Sequence, residues 1–271
     1  MPVARDVHAT LRSRRFHWLD WGRPGARPLL LLHGAAQTAH SFDEVAPDLA
    51  RDHHVVALDQ RGHGDSDWAP RYERADFAGD IEAVLGRLGW AQATLVAMSL
   101  GGLNAIAYAA ARPARVRGLV VVDVVPTVAE TGKQQIAAQL AVRDFPSFDD
   151  AVEQMHAFNP RRTKENLRDR LCHALRPRPD GTWTYKFDPE IAAGTRDLEG
   201  LWRAVARLRC PVLLVRGAES PILAREGAEQ LLRTVPGSAA VEVAGAGHSV
   251  MGDNPPGFLA AVRPFLHRFR L

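Results

Sequence analysis

Ser99 lies in the run Ala97-Met98-Ser99-Leu100-Gly101-Gly102, after the apolar stretch Ala93–Met98 and before an alanine-rich helical pattern at 103–111. Strand, sharp turn and helix is the setting that presents a serine as a nucleophile. Such a turn is strained, so the residues two before and two after the serine must be small. Gly101 meets that need fully, and Ala97 meets it with one extra methyl group. The helix that follows points free amides and its positive dipole end toward the place where an oxyanion would form. Capping a helix is the ordinary alternative use of a serine in this position.

Other loops carry chemistry of matching kinds. Leu31-Leu32-His33-Gly34-Ala35-Ala36 follows an apolar run, and its glycine lets the chain turn closely. The N–H groups of Ala35 and Leu100 are then the expected oxyanion-hole donors. His33 reads as a structural residue of that loop. The stretch Asp59-Gln60-Arg61-Gly62-His63-Gly64-Asp65-Ser66 is a tight glycine-containing turn in which Asp59, Arg61 and Ser66 have structural roles. It contains neither G-K-[ST] nor G-x-G-x-x-G, so it is a poor phosphate loop. Gly245-Ala246-Gly247-His248-Ser249 places an imidazole, which changes charge near neutral pH, on a flexible loop near the C-terminus. His248 there suits a general base that returns the proton as an acid.

Side chains of this kind need strands to present them. Apolar runs occur at 28–32 (PLLLL), 54–58 (HVVAL), 93–98 (ATLVAM), 116–122 (VRGLVVV), 211–215 (PVLLV) and 239–243 (AAVEV). Most lack polar alternation, as strands buried on both faces do. The stretch 15–21 alternates more and reads as an antiparallel edge strand. Helical stripes separate the runs: Phe77, Ile81, Val84, Leu85 and Leu88, then Phe258, Val262, Phe265, Leu266 and Phe269. The pattern predicts an α/β protein with a mostly parallel sheet covered by helices on both faces. From 127 to 199 no convincing buried strand appears, only helical patterns and a turn-rich piece at 176–189. That is too long for a plain loop. It reads as a helical cap (127–199) inserted into a core of 1–126 and 200–271, above the strand ends where ligands bind in open sheets.

The composition bounds the rest. Of 271 residues 46% are hydrophobic and 24% charged, with a formal charge of +3. This is ordinary for a soluble enzyme and gives no argument for nucleic acid. The basic stretch 161–178 also holds Glu165 and Asp169; it reads as a solvated helix face, with attraction of an anionic substrate as the lesser alternative. Cys172 and Cys210 have no metal-ligand spacing, and no metal is expected. Nothing resembles a secretion signal or a bilayer-spanning run, so the expectation is a cytoplasmic protein with a small-molecule substrate, no nucleic-acid partner and no membrane. Oligomeric state is not legible.

Taken as an ordered set, HG at 33–34, DQRGHGDS at 59–66, AMSLGG at 97–102 and GAGHS at 245–249 resemble the α/β-hydrolase superfamily. The resemblance covers nearly the whole chain apart from the cap. It implies an eight-stranded sheet, a cap above the strand ends and no required cofactor. Two carboxylates follow apolar runs and are candidates to orient His248: Asp123 and Glu219. In most of the superfamily the acid follows the later strand, about three residues after its glycine. Ser220 stands there in this chain, with Glu219 one position short. Asp123 matches the earlier position that some members use, and it is preferred, with Glu219 the alternative. A serine nucleophile rules out the alkyl-ester chemistry of dehalogenases, which needs a carboxylate. Acyl transfer from a small carboxylic ester, or a related lactone, is the expected reaction. Hydrolysis of a carbon–carbon bond by the same triad is the enzymatic alternative, and a non-catalytic ligand receptor is the alternative of another class. Met98, Met155, Phe158 and Trp183, with Tyr185, are candidate apolar pocket residues.

Overall fold

Aliphatic runs bury both faces of most of the strands they form, and the computed structural model places each run named above in one sheet. It describes residues 3–23, 25–127, 130–193 and 197–271. The strands are β1 (Arg5–Leu11), β2 (Arg14–Trp21), β3 (Arg27–Leu32), β4 (His53–Leu58), β5 (Ala93–Met98), β6 (Val116–Val122), β7 (Asp144–Phe145), β8 (Leu175–Pro177), β9 (Trp183–Tyr185), β10 (Val212–Gly217) and β11 (Ala239–Val243). The longer helices are α1 (Arg74–Arg87), α2 (Leu100–Ala111), α3 (Glu130–Ala141), α4 (Phe148–Phe158), α5 (Lys164–Ala174), α6 (Leu198–Val205), α7 (Arg225–Thr234) and α8 (Pro255–Arg268).

The main sheet has eight strands in the order β1-β2-β4-β3-β5-β6-β10-β11. Only the β1–β2 and β2–β4 pairings are antiparallel. The register brings the strand ends level. Leu32 pairs with both Leu58 and Ala97, Met98 with Val122, Val122 with Val215, and Gly217 with Val243. The residues that follow these ends are His33, Asp59, Ser99, Asp123, Ala218 and Ala244. The register alone therefore gathers the loops of interest along one edge.

Period-two alternation splits the core in two. Leu30, Leu32, Val56, Leu95, Ala97, Val121 and Leu214 face Ile81 and Leu85 of α1, Ile106 of α2 and Leu201 and Val205 of α6. Leu29, Leu31, Val55, Val96, Val120 and Val215 face Phe258, Val262 and Leu266 of α8. Leu29 through Leu32 are each 0% exposed, and full burial of a leucine contributes roughly 1.5–3 kcal/mol. Both helical stripes read from the sequence are thus core faces.

Four local features differ from the sequence reading. β2 is antiparallel but is not an edge, because β1, whose polar RDVHATL sequence hid it, covers its outer side. β11 is an edge strand exposed at four of its five positions. The segment between β6 and β10 is not purely helical. Beside α3, α4 and α5 it holds a three-stranded antiparallel sheet, β7-β9-β8. These strands are two or three residues long, too short for periodicity to register. α6 also starts at Leu198 and packs on the main core. Among the described residues no helix is long and apolar enough to cross a membrane.

Candidate active site

Ser99 has φ 52° and ψ −117°, a conformation that L side chains rarely adopt. Its neighbours hold it there. The Ser99 N–H donates to Val122 O at 3.1 Å and the Gly101 N–H to His33 O at 3.2 Å. A Cβ at Gly101 would lie 2.6 Å from the carbonyl oxygens of both Leu32 and His33, so the close approach of α2 to the end of β3 requires glycine. The extra methyl of Ala97 is 0% exposed within the core, which accommodates it.

His248 stands on the loop after β11. A Cβ at Gly217 would lie 2.0 Å from Gly247 O, so the end of β10 is the floor on which this loop rests. The Gly247 N–H donates to Asp253 Oδ2 at 2.9 Å. His248 Nε2 is then 3.0 Å from Ser99 Oγ, and Nδ1 is 2.7 Å from Asp123 Oδ2. An ionised carboxylate only accepts, so Nδ1 carries the proton and Nε2 accepts from the serine hydroxyl.

Asp123 is 0% exposed and has φ 52°, a second strained residue at a strand end. A buried carboxylate is costly unless it is satisfied. Here Oδ1 accepts the Gly217 N–H at 3.0 Å, and Oδ2 accepts from the Ser220 hydroxyl as well as from His248. Glu219 points elsewhere. Its side chain is 51% exposed and it accepts from Arg161 Nε at 2.8 Å and Nη2 at 2.5 Å. The structure therefore brings Ser99, His248 and Asp123 together and leaves Glu219 out. Ser220, which stands where most of the superfamily carries the acid, donates its hydroxyl to Asp123.

The loop after β3 lies against the serine. A Cβ at Gly34 would meet Met98 Sδ at 2.7 Å and Ser99 Cβ at 3.2 Å. No hydrogen bond joins the N–H of Ala35 or of Leu100 to an acceptor among the described residues. His33 is structural, as expected. Its Nδ1–H donates to Gly34 O at 2.7 Å and its Nε2 accepts the Gln60 N–H at 3.0 Å; burial holds its pKa below the usual histidine range. Sequence reasoning missed Gln60, whose amide donates to His33 O at 2.6 Å and whose Oε1 accepts from Asn104 at 2.8 Å. It also missed Gln37, which accepts the Gly34 N–H at 3.0 Å and donates to Ser249 Oγ at 3.2 Å, tying the two loops together. Neither residue has a spacing signal; both act through tertiary contact.

Among the described residues one grouping has metal-ligand spacing, His17, Asp59 and Asp65. The Asp59 carboxylate is already occupied by the His17 ring at 2.7 Å and the N–H groups of Ala39 at 2.6 Å and Asp65 at 2.9 Å. Burial alone would raise its pKa, but these donors hold it below the usual carboxylate range. Asp59 is an anchor for its loop.

A cavity of about 140 Å³ opens beside His248, lined by Gln37 and Ser249 from the core and by Met155, Phe158, Leu171 and Tyr185 from the inserted segment. Met98 and Trp183 do not line it. Met98 is 1% exposed in the core beneath the loop, and the Trp183 ring packs on Phe148 at 5.0 Å between centroids. Arg161, Arg162 and Arg170 also line the cavity, so part of the basic stretch read as a solvated face turns inward.

A family model described as alpha/beta hydrolase fold matches residues 27–255. An esterase of Mycobacterium tuberculosis is 33% identical over 92% of this chain and 85% of its own length. A 3-hydroxybutyrate-oligomer hydrolase of Cupriavidus necator is 30% identical over 89% of this chain and 88% of its own. The crystal structure of an E-2-(acetamidomethylene)succinate hydrolase superimposes with a TM-score of 0.87 at 25% identity, covering 97% of this chain and 99% of that one.

Proposed function

The chain belongs to the α/β-hydrolase fold family, and from that premise we propose that it hydrolyses a small carboxylic ester through an acyl-enzyme on Ser99. The observation that carries this reading is the continuous relay from Ser99 Oγ to His248 Nε2 at 3.0 Å and from His248 Nδ1 to Asp123 at 2.7 Å. The esterase and hydrolase relatives support an ester as the bond cleaved.

In this mechanism Ser99 Oγ attacks the ester carbonyl while His248 Nε2 takes its proton. The imidazolium so formed is stabilised by the buried Asp123 carboxylate. The carbonyl oxygen gains charge as the tetrahedral intermediate forms, and the N–H groups of Ala35 and Leu100 receive it. Such a donor is worth roughly 3–4 kcal/mol in the transition state. His248 returns the proton to the leaving alcohol, and water repeats the sequence in reverse to release the acid. The inserted segment serves as a cap that roofs the cavity with Met155, Phe158 and Tyr185.

The test is turnover of short-chain p-nitrophenyl esters by wild type and Ser99→Ala, with matched circular dichroism spectra. Loss of turnover in the variant is the expected result. If the wild type is inert but a fluorophosphonate labels Ser99, the serine chemistry stands and the scissile bond is another, such as the carbon–carbon bond of a diketone. A protein that neither turns over nor labels is a receptor, and the proposal fails.

A further inference from the structure

The cavity beside His248 has an apolar body and one strongly basic wall. Three arginines line it, and the single carboxylate in its lining among the described residues, Asp253, is committed to the Gly247 N–H at 2.9 Å and the Asn159 amide at 2.8 Å. Arg161 is neutralised by Glu219. Arg162 and Arg170 are less well served. Their side chains are only 12% and 10% exposed; Arg170 pairs with Glu44 at 2.9 Å, while Arg162 stands 3.9 Å from both Glu44 and Asp253 and donates from Nε to Gly252 O at 3.3 Å. The same Glu44 Oε1 also accepts from the Asn166 amide at 2.6 Å. Among the described residues Arg162 thus has no carboxylate within hydrogen-bond distance.

Two further observations point the same way. Arg170 Nη1 is buried and has no hydrogen-bond partner among the described residues, which is costly for a charged donor. Burial, with the neighbouring Arg170 charge, pushes the Arg162 guanidinium down to about 10. Both describe positive charge that is short of an anion. A guanidinium offers a planar fork of donors whose natural complement is a carboxylate.

We propose that the substrate of the serine site carries a carboxylate, received by Arg162 and Arg170 of the inserted segment, while its apolar body lies against Met155, Leu171 and Tyr185. The proposal names a substrate class for the hydrolase reading and rests on it. The volume of about 140 Å³ is comparable with cavities of roughly 150 Å³ that admit benzene, so the ligand is small.

The test uses two esters of one shape, monomethyl glutarate and methyl pentanoate, which differ only by a carboxylate in place of a methyl group. Their affinities for Ser99→Ala protein, measured by calorimetry, do not depend on turnover. At least a tenfold preference for monomethyl glutarate is expected. Arg170→Gln, and separately Arg162→Gln, should each bring the ratio below about threefold, and Arg170→Lys should retain part of it. Melting curves check that each variant is folded, and the two positions guard against failure of one. Equal affinity for the two esters, or binding of neither, overturns the proposal. Wild-type turnover of both esters at equal kcat/KM would overturn it while leaving the hydrolase reading intact. A binding preference without cleavage would do the opposite.

Discussion

Asp123→Asn should lower kcat on p-nitrophenyl butyrate by roughly 10³–10⁴-fold, and the structure says why so small a change costs so much. Three donors converge on this carboxylate: the Gly217 N–H on Oδ1, and His248 Nδ1–H with the Ser220 hydroxyl on Oδ2. The backbone donor cannot reverse, so the asparagine oxygen must remain on Gly217 and its NH₂ group must take the place of Oδ2. Ser220 can rotate to accept one amide hydrogen. His248 Nδ1 must then accept the other, which moves the imidazole proton to Nε2, facing Ser99 at 3.0 Å. That tautomer is no base. Restoring the reactive tautomer sets two donors against each other, one of them on residue 123, which is 0% exposed. The lost charge-assisted bond costs about 1.5–3 kcal/mol and the unpaired buried donor about 1–3 kcal/mol. Loss of stabilisation of the imidazolium adds to these, and about 4–5.5 kcal/mol in all corresponds to 10³–10⁴ in rate. Initial rates beside Glu219→Gln make the comparison internal. The glutamine variant should stay within about threefold of wild type, because Glu219 is half exposed and bound to Arg161. Adding Ser220→Asp to Asp123→Asn should recover part of the loss, since position 220 already reaches the same spot. An Asp123→Asn enzyme within tenfold of wild type, or a Glu219→Gln enzyme as impaired as Asp123→Asn, would refute the assignment.

Three other outcomes follow from the same geometry. Ser99→Gly removes a side chain from a φ of 52°; relief of strain, offset by glycine entropy, should leave about 1 kcal/mol and raise Tm by roughly 2–4 °C while abolishing turnover, and an unchanged or lower Tm in calorimetry would count against the strain. Gly101→Ala places a Cβ 2.6 Å from two backbone carbonyl oxygens that cannot give way and should destabilise by about 2–3 kcal/mol, read from urea unfolding. His63 is buried with Nε2 unpartnered, and burial, then the nearby His33, pushes its pKa down to about 3. Its folded pKa lies below the unfolded value, so the unfolded chain binds the extra proton and stability is lost as pH falls below about 6.5. The contribution reaches about 2 kcal/mol at pH 5, and His63→Phe should reduce the loss of stability between pH 7.5 and 5 by that amount in denaturant titrations.

The residues whose chemistry was legible in the sequence are those flanked by small residues at fixed offsets. Ser99 with Gly101, and His248 with Gly245 and Gly247, announce themselves because tight turns exclude most side chains, and small residues at fixed offsets are the trace of that exclusion. The choice between Asp123 and Glu219 was not legible in this way. Both follow apolar runs, and those runs are β6 and β10, which are neighbours paired at Val122 and Val215. Two adjacent strand ends reach nearly the same point in space, so position along the chain cannot decide which of them carries the acid. What decides it is that Asp123 lies within reach of the Gly217 N–H and the Ser220 hydroxyl, partners 94 and 97 residues away.

The inserted segment shows the same limit from the other side. Two of its helices, α4 and α5, were legible from the spacing of Phe148, Ala151, Val152 and Met155 and of Leu167, Leu171 and Leu175, yet the side chains that shape the cavity were not separable from packing residues. Met155 and Phe158 line it, whereas Trp183, equally apolar and in the same segment, packs on Phe148. The arginines reverse the usual expectation more sharply. A run of basic residues on a helix is ordinarily solvated, because long charged side chains keep their heads in water. Arg170 keeps its head against Glu44, and Arg162 between Glu44 and Asp253, in the wall of the cavity beside His248, with side chains about nine-tenths buried. Periodicity reports which face of a helix is apolar, and it carries no information about a charge whose partner lies more than a hundred residues away on another element. Two buried guanidiniums, one paired with Glu44 and the other 3.9 Å from its nearest carboxylates, are a cost to the fold, and an anionic ligand beside them would offset it.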